Sequence, residues 1–391
     1  MRKFSAQYIF TNTGKPLKRG IVTLDTEGRI IKVEDTQGEL RESASVEFRN
    51  GIIIPGFVNC HCHLELSHME KPSVESPGLA SFITGINARR QSEEPLRQNA
   101  MILADRMMYD EGIVLCADIC NTPDSFSIKK QSRLKYISLL EVFGVNPDNA
   151  ARRMTEILKL AAEATGEGIP WSIVPHSAYS VSKTLFSLIR EHTTDNNITS
   201  IHFMESESEI SFLENHAGPL MDSYRNSGFM GEAPESAPSH ISVITDEITS
   251  SGNLILVHNT FVREEMIPVV NSRQRVSWCL CPRSNLIIEG KLPPLDILSG
   301  SGCTIVIGTD SLASNTGLSI LDELKTLQSG FPLFTLEELV RYATLNGAVA
   351  LNETAGYGSI EPGKKPGLLL LENCDLSELK LRPETTVRRL A

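Results

Sequence analysis

The sequence predicts an α/β protein built on a (β/α)8 TIM-type barrel, with a small β-sandwich assembled from both ends of the chain. Three observations predict this architecture. Short apolar runs recur eight times, segments with a helical period lie between several of them, and polar or ionisable residues stand where many runs end. Strands that alternate with helices pair in parallel, and eight such units can close into a barrel.

The eight candidate strands are short and rich in apolar residues. They cover residues 51–63, 112–120, 135–144, 171–179, 198–207, 254–260, 275–285 and 303–311. Helical patterns follow the third, fourth and eighth runs, in DNAARRMTEILKLAAEA, KTLFSLIREHTT and GLSILDELKTLQ. An open doubly wound sheet is the alternative, but polar residues at the ends of several strands at once are typical of a barrel.

Both ends of the chain resemble short antiparallel strands. Apolar runs near each terminus are interrupted by Gly and Pro turns, and neither end shows a long helical period. We therefore expect a composite β-sandwich from residues 1–54 plus 355–391, beside a barrel formed by residues 55–354.

The composition is that of an ordinary folded chain, with 41% hydrophobic and 22% charged residues. The net charge of −11 disfavours binding to nucleic acid or to an anionic membrane, so we expect a small-molecule substrate. The N-terminus lacks the apolar core of a secretory signal, and no window of about 18 apolar residues occurs. The eight cysteines suit reduced, buried thiols, and we expect a cytoplasmic protein.

Several apolar runs end on residues that can bind a metal or transfer a proton. His61 and His63 are separated by one residue, so on a strand their side chains share a face and can hold one ion. The others stand at the ends of the fifth, sixth and eighth runs: His202 with Glu205 three residues later, His258 and Asp310. Imidazoles together with a carboxylate suit zinc or ferrous iron.

Together these motifs resemble the amidohydrolase superfamily. The chain carries, in order, HCH after PGFVN, HFMESE, LVHNT, CPRSN, GTDSLASN, ATLNGAVALN and GSIEPGKK. The resemblance is nearest to the branch that contains the cytosine, guanine, adenosylhomocysteine and aminodeoxyfutalosine deaminases and the triazine chlorohydrolases. It implies the barrel, the sandwich beside it and a set of site residues.

The resemblance implies a role for each metal-capable position. The implied ligands are His61, His63, His202 and Asp310. Glu205 would shuttle the proton, and His258 would contact the reacting water or the substrate, with Asp310 sharing the proton work. No lysine ends the fourth run, as it does in most two-metal members, so we expect one divalent ion, zinc or iron.

Substrate contacts are expected at the same strand ends. His176 matches a fourth-strand histidine that helps to bind substrate in several deaminases of this branch. Glu65 and Ser67 begin a polar loop that would cover the barrel mouth as a lid. Arg283 and Asn285 end the seventh run, where a guanidinium can recognise polar groups and where the amide can instead brace the loop.

Two features admit other interpretations. The sequence HLE at residues 63–65 fits half of the motif of the unrelated zinc nucleobase deaminases, but their Pro-Cys-x-x-Cys half is missing. Strand alternation places Cys60 and Cys62 opposite the histidines, in the layer between the barrel and its helices, so we expect buried structural thiols rather than ligands.

The expected reaction is hydrolytic deamination of an aminated aromatic ring, such as a purine-type base or nucleoside, with aminodeoxyfutalosine among the candidates. Water activated by the metal would attack the ring carbon, and Glu205 would carry the proton to the departing ammonia. A triazine-type chlorohydrolase or another hydrolase of cyclic carbon–nitrogen bonds is the alternative, and a non-catalytic scaffold is a distant one. The resemblance also implies a homodimer.

Overall fold

The computed structural model describes residues 1–40, 45–69, 78–89, 93–228, 238–273 and 275–391. The strands are β1 Arg2–Ile9, β2 Leu17–Lys18, β3 Ile21–Leu24, β4 Ile30–Glu34, β5 Val46–Pro55, β6 Phe57–Cys62, β7 Ile113–Cys120, β8 Lys135–Val142, β9 Trp171–Pro175, β10 Ile198–Phe203, β11 Asn253–His258, β12 Val276–Leu280, β13 Thr304–Ile307, β14 Leu368–Glu372 and β15 Thr386–Arg389.

The helices are α1 Leu79–Arg89, α2 Glu94–Asp110, α3 Phe126–Gln131, α4 Ala150–Glu167, α5 Lys183–Thr193, α6 Glu207–Asn215, α7 Pro219–Asn226, α8 His240–Ser242, α9 Ile267–Asn271, α10 Pro282–Glu289, α11 Leu295–Gly300, α12 Ile320–Gly330, α13 Leu336–Tyr342 and α14 Leu345–Ala350. Within the described ranges, none of these helices has the length and apolar character needed to cross a membrane.

Strands β6 to β13 are parallel and correspond one by one to the eight predicted apolar runs. They form two four-stranded sheets, in the orders β6-β7-β8-β9 and β10-β11-β12-β13. Single parallel bridges connect the sheet edges, one between Ser177 and His202 and one between Cys62 and Asp310. At the second edge, Asp310 N also donates to the carbonyl oxygen of His61 at 3.0 Å. The carboxyl ends of the strands in both sheets therefore lie on the same side.

One buried apolar cluster receives side chains from all eight parallel strands, from Val58 on β6 to Val306 on β13. Residues of α14, including Ala348 and Ala350, complete it beside the start of β6. A second and larger cluster packs helices such as α2, α4, α5 and α12 against the strands. The apolar core thus has an inner layer among the strands and an outer layer under the helices.

The two ends of the chain meet in one seven-stranded sheet. Its order is β15-β14-β5-β1-β3-β4, with β2 paired to β1. The first predicted run, residues 51–63, is divided between β5 of this sheet and the parallel strand β6. Gly56 stands at the junction, where a Cβ atom would overlap the Val114 side chain and the Pro366 carbonyl. Only glycine allows this close approach.

Strand β6 does not keep strict alternation, because its register with β7 shifts between Asn59 and Cys62. Cys60 packs in the inner cluster with Cys279, whereas Cys62 packs in the outer layer near Met108 of α2. The prediction that both thiols face the helix layer is therefore wrong for Cys60. Both thiols are nevertheless fully buried, as expected for structural cysteines.

A buried ion pair braces the chain at the end of β6. Asp118 Oδ2 on β7 lies 2.6 Å from Lys129 Nζ on α3, and Asp118 Oδ1 accepts a hydrogen bond from Leu64 N at 2.7 Å. Burial lowers the pKa of Lys129, but Asp118 and Cys120 raise it by more, so the amine stays charged. Since Leu64 directly follows His63, the pair stabilises the backbone that carries this histidine.

We expect Lys129→Met to lower the free energy of unfolding by about 3–5 kcal/mol, because Asp118 would remain buried without its counter-ion. Lys130 provides a matched control, since it pairs with Glu167 while both side chains are about half exposed (48% and 52%). Lys130→Met should change the free energy of unfolding by less than about 1 kcal/mol. Chemical denaturation measures both values, and equal effects would contradict the bracing role.

Candidate functional site

Four imidazole rings and a carboxylate converge at the carboxyl ends of the parallel strands. The Nε2 atoms of His61 and His63 are 3.1 Å apart, and they lie 3.6 and 3.5 Å from Asp310 Oδ1. The ring centroid of His202 is 4.9 Å from that of His61 and 5.1 Å from that of His258. Residues from β6, β10, β11 and the turn after β13 thus aim their polar atoms at one small region.

Several buried polar atoms in this region lack a hydrogen-bond partner among the described residues. They are His61 Nδ1, both ring nitrogens of His202, His258 Nε2 and Glu205 Oε2. Unpaired buried polar atoms are costly and call for a missing partner. Two sets of candidate ligand atoms each lie within 4.8 Å of one another. One set belongs to His61, His63 and Asp310, and the other to His61, His202 and His258. This donor set fits a divalent ion such as zinc or iron.

The carboxylate of Asp310 is held in one orientation by two serines. Ser284 Oγ and Ser314 Oγ each donate to Asp310 Oδ2 at 2.6 Å, which leaves Oδ1 facing His61 and His63. Burial raises the pKa of Asp310, but the neighbouring imidazoles of His61, His63 and His258 outweigh burial and hold the pKa well below its usual range. The group is therefore a charged acceptor with one oxygen available.

Glu205 lies between two of the histidines. Its Oε1 is 3.7 Å from His258 Nε2, and its Oε2 is 3.6 Å from His202 Nδ1. Burial raises the pKa of Glu205 to about 8, although His258 acts in the opposite direction. Burial lowers the pKa of His258, but the nearby Glu205 and Asp310 carboxylates raise it by more. A carboxyl group that titrates near neutral pH can both accept and release a proton.

Four residues of the cluster, His63, His202, Glu205 and Asp310, line a cavity of about 410 Å³. Cavities of this size hold small organic ligands. Its apolar lining includes Leu66, Leu79, Phe82, Ile83 and Phe143, and its polar lining includes Asn121, Glu141, His176, Tyr179, Arg152 and Arg153. The cavity can therefore enclose a flat ring beside the titratable groups and a polar extension further out.

Only His176 among the five predicted substrate-contact residues lines this cavity within the described residues. Its ring stacks on that of His202, with centroids 4.5 Å apart. Glu65 instead accepts hydrogen bonds from the backbone nitrogens of Asn121 and Thr122, at 3.0 and 3.1 Å, and so braces the turn after β7. Residues 70–77 of the predicted lid lie outside the described part of the chain.

The other three predicted contacts are Asn285, Arg283 and Ser67. Asn285 Oδ1 is 2.8 Å from His258 Nδ1, which matches the bracing alternative for this amide. Arg283 is engaged by Asp322, whose Oδ2 lies 3.0 Å from a guanidinium nitrogen. The Ser67 hydroxyl is buried and has no hydrogen-bond partner in the part of the chain that the structure describes. None of the three lines the cavity as far as the chain is described.

Sequence reasoning missed two glutamates of the site. Glu141 lines the cavity, and its Oε2 accepts from Asn121 Nδ2 at 3.1 Å. Its Oε1 lies 3.8 Å from His202 Nε2 and has no hydrogen-bond partner within the described ranges. It ends the third apolar run in LLEVFG, the same signal that revealed the histidines. Glu209 lies in the first turn of α6 and is fully buried behind Glu205. No strand-end signal marks a residue on a helix.

Known proteins share both the sequence pattern and the fold. The sequence profile of the amidohydrolase family matches residues 52–387. An adenosine deaminase of Helicobacter pylori is 27% identical over 336 residues, which cover 82% of this chain and 79% of that relative.

Two solved structures are similar to this fold. The aminofutalosine deaminase of Helicobacter pylori in complex with methylthio-coformycin has a TM-score of 0.77 and 21% identity, and the match covers 96% of this chain and 93% of that one. The atrazine chlorohydrolase of Arthrobacter aurescens TC1, complexed with zinc, has a TM-score of 0.71 and 17% identity, with 96% and 88% covered. Because the family match spans most of the chain, this protein belongs to the amidohydrolase family, and the prediction of a hydrolase that acts on carbon–nitrogen bonds is confirmed.

Proposed function

We propose that this protein is a metal-dependent deaminase that hydrolyses the amino group of an aminated purine ring, most readily in a nucleoside. The observation that carries the proposal is the position of Glu205, a buried carboxyl group with a pKa of about 8 beside a convergent histidine–aspartate cluster. Water replaces the ring amino group, and ammonia leaves. The adenosine deaminase among the relatives agrees with this class of reaction.

The proposed ligands of one zinc or iron ion are His61, His63, His202 and Asp310. Their unpaired or convergent nitrogen and oxygen atoms support this assignment, and the zinc in the chlorohydrolase structure favours zinc. Such an ion, when bound, polarises oxygen ligands and lowers the pKa of a bound water toward about 7.

The chain supplies the proton transfers. Glu205 would take one proton from the attacking water and pass it to a ring nitrogen as the carbon–oxygen bond forms. It would then carry the second proton of that water from the new hydroxyl group to the amino group, so that the carbon–nitrogen bond breaks, ammonia leaves and a ring carbonyl remains. His258 stands next to Glu205 and is oriented through its Nδ1 by Asn285, so it can hold the water or the developing charge on the substrate. Asp310 Oδ1 would accept a hydrogen bond from the same water, because its other oxygen is engaged by the serines.

Substrate binding is proposed for His176 together with Glu141. Both line the cavity, and the free Oε1 of Glu141 offers an acceptor for a sugar hydroxyl. Glu65, Arg283 and Asn285 are proposed to act on the substrate only indirectly, through the loops and side chains that they hold, and Ser67 through its place in the turn that follows His63.

The finer fold assignment also belongs to the proposal: a closed (β/α)8 barrel of residues 55–354 beside a composite β-sandwich of residues 1–54 plus 355–391. The two edge bridges and the apolar cluster shared by all eight parallel strands support closure. The sheet built from both ends of the chain supports the composite unit. A cytoplasmic location agrees with the eight free cysteines, and a homodimer rests on the family resemblance alone.

We expect the purified protein to hold close to one divalent ion per chain, and His61→Ala to lose most of it, because that change removes a buried proposed ligand. Elemental analysis after exhaustive dialysis measures the content. His192→Ala is the control, since His192 is exposed on α5. A His61→Ala variant with a full complement of metal would overturn the ligand assignment.

Glu205→Gln should lower kcat for ammonia release by at least about 100-fold while the metal content stays at the wild-type level, because the amide cannot carry the proton. Assays with adenosine, 5′-deoxyadenosine, aminodeoxyfutalosine and guanine, beside chloride release from a chlorotriazine, identify the leaving group. Glu207→Gln, an exposed neighbour, should keep full activity. Loss of metal from Glu205→Gln would mean that Glu205 is a ligand.

Glu141→Gln should lower kcat/KM for adenosine by about tenfold or more, which corresponds to one hydrogen bond to a charged group. With either 2′-deoxyadenosine or 3′-deoxyadenosine, kcat/KM should fall much less in this variant. The nucleoside with the smaller fall is the one that lacks the hydroxyl group that donates a hydrogen bond to Glu141. Steady-state kinetics on the three nucleosides gives the comparison. Equal losses on all three would exclude recognition of a sugar hydroxyl.

A further inference from the structure

A single buried carboxylate supports the turn that carries Glu205. Glu209 lies in the first turn of α6, where Ser206 caps the helix by accepting a hydrogen bond from Glu209 N at 3.0 Å. The Glu209 side chain points back toward β10. Its Oε2 accepts from Glu205 N at 2.8 Å, and its Oε1 accepts from Met204 N at 3.3 Å. The backbone N–H groups of the two residues that follow β10 thus both donate to one side chain.

A second buried residue, His240, completes this arrangement. His240 Nε2 lies 2.8 Å from Glu209 Oε1, and both side chains are almost fully buried, with 3% and 0% of their side-chain surface exposed. The His240 ring also packs edge-on against Phe203, with centroids 5.7 Å apart. Since a carboxylate only accepts hydrogen bonds, the Nε2–H of His240 donates. The helix α8 is therefore connected to the end of β10 through a polar contact.

The backbone at this turn needs such support. Met204 has φ of 49°, a left-handed conformation that is unfavourable for a residue with a long side chain. Residues of this kind persist only where the surroundings hold them in place. Without Glu209, the N–H groups of Met204 and Glu205 would be buried donors with no acceptor, and the turn would move to pair them.

We propose that Glu209 and His240 are positioning residues that hold the Glu205 carboxylate between His202 and His258. Within the described residues, neither Glu209 nor His240 lines the cavity, so both act through the backbone of Glu205 rather than on the substrate. The inference rests on the proposed function, since it assigns the geometry of the proton transfer to this pair. A shift of about 1 Å in a reacting group can lower a rate by about 100-fold.

Glu209→Gln is the most informative variant. It keeps the shape of the side chain and replaces one oxygen that accepts a hydrogen bond by a nitrogen that cannot. We expect kcat for ammonia release to fall by about 10- to 100-fold, with KM within about twofold and the metal content unchanged. Glu207→Gln is the matched control, because it removes an exposed carboxylate from the same helical turn. It should leave kcat at the wild-type value.

His240 supplies a rescue experiment. His240→Ala should lower kcat in the same way as Glu209→Gln, whereas His240→Gln, which retains a donor, should recover part of the loss. Thermal unfolding of both variants shows whether they are equally folded. An unchanged kcat in Glu209→Gln, or the same kcat in the two folded His240 variants, would overturn the positioning role.

Amide hydrogen exchange tests the pair independently of turnover. We expect exchange at Met204 and Glu205 to be faster in Glu209→Gln than in the wild type, while Glu207→Gln exchanges as the wild type does. Unchanged exchange at both amides would overturn the inference. A wild-type protein that releases no ammonia from any nucleoside would instead overturn the proposed function, and the exchange result would still decide whether Glu209 holds the turn.

Discussion

The convergence of histidine nitrogens with one aspartate oxygen is the constraint on which the rest of the structure depends. The Nε2 atoms of His61 and His63 are 3.1 Å apart, and His202 and His258 approach the same region with ring nitrogens that have no partner among the described residues. Buried polar atoms without partners oppose folding. A cation bound among these donors would give them the partners that they lack, so the same atoms matter for folding and for chemistry.

Polar side chains around this cluster hold Asp310, His258 and Glu205 in place through hydrogen bonds. Two serines hold the far oxygen of Asp310, and Asn285 faces the far nitrogen of His258. Glu209 accepts from the backbone of Glu205. Outer groups that fix ligands in this way are a general feature of metal sites. The inner groups therefore keep their free atoms directed toward the cavity and the proposed ion.

The electrostatic environment separates the pKa values of two acidic groups of the site, Asp310 and Glu205. Asp310 faces histidines and keeps its negative charge, whereas burial pushes the pKa of Glu205 toward neutrality. Pairs of carboxyl groups whose surroundings separate their pKa values are typical of enzymes that need one constant charge and one proton carrier. The same cavity places Glu141 beside the cluster, where its free oxygen adds a point of recognition to a largely apolar wall.

The sequence alone determined the parallel α/β pattern, the family and the chemical character of the site. Those features follow from local periodicity and from residues at strand ends, because parallel strands bring their carboxyl ends to one place. Glu141 carried the same signal in LLEVFG and was within reach of that reasoning. The prediction for Cys60 failed because strict alternation does not survive the register shift in β6.

Tertiary structure alone decided which polar residues face the cavity and which brace it. Glu65 and Asn285 are close in sequence to site residues, yet neither side chain faces the cavity in the described residues. Glu65 accepts hydrogen bonds from the turn after β7, and Asn285 contacts the ring of His258. Glu209 reaches the backbone of Glu205 only because α6 folds back over the end of β10. Periodicity predicts the face of a strand or helix on which a side chain lies. The hydrogen-bond partner of that side chain depends on the packing of segments that are distant in the chain.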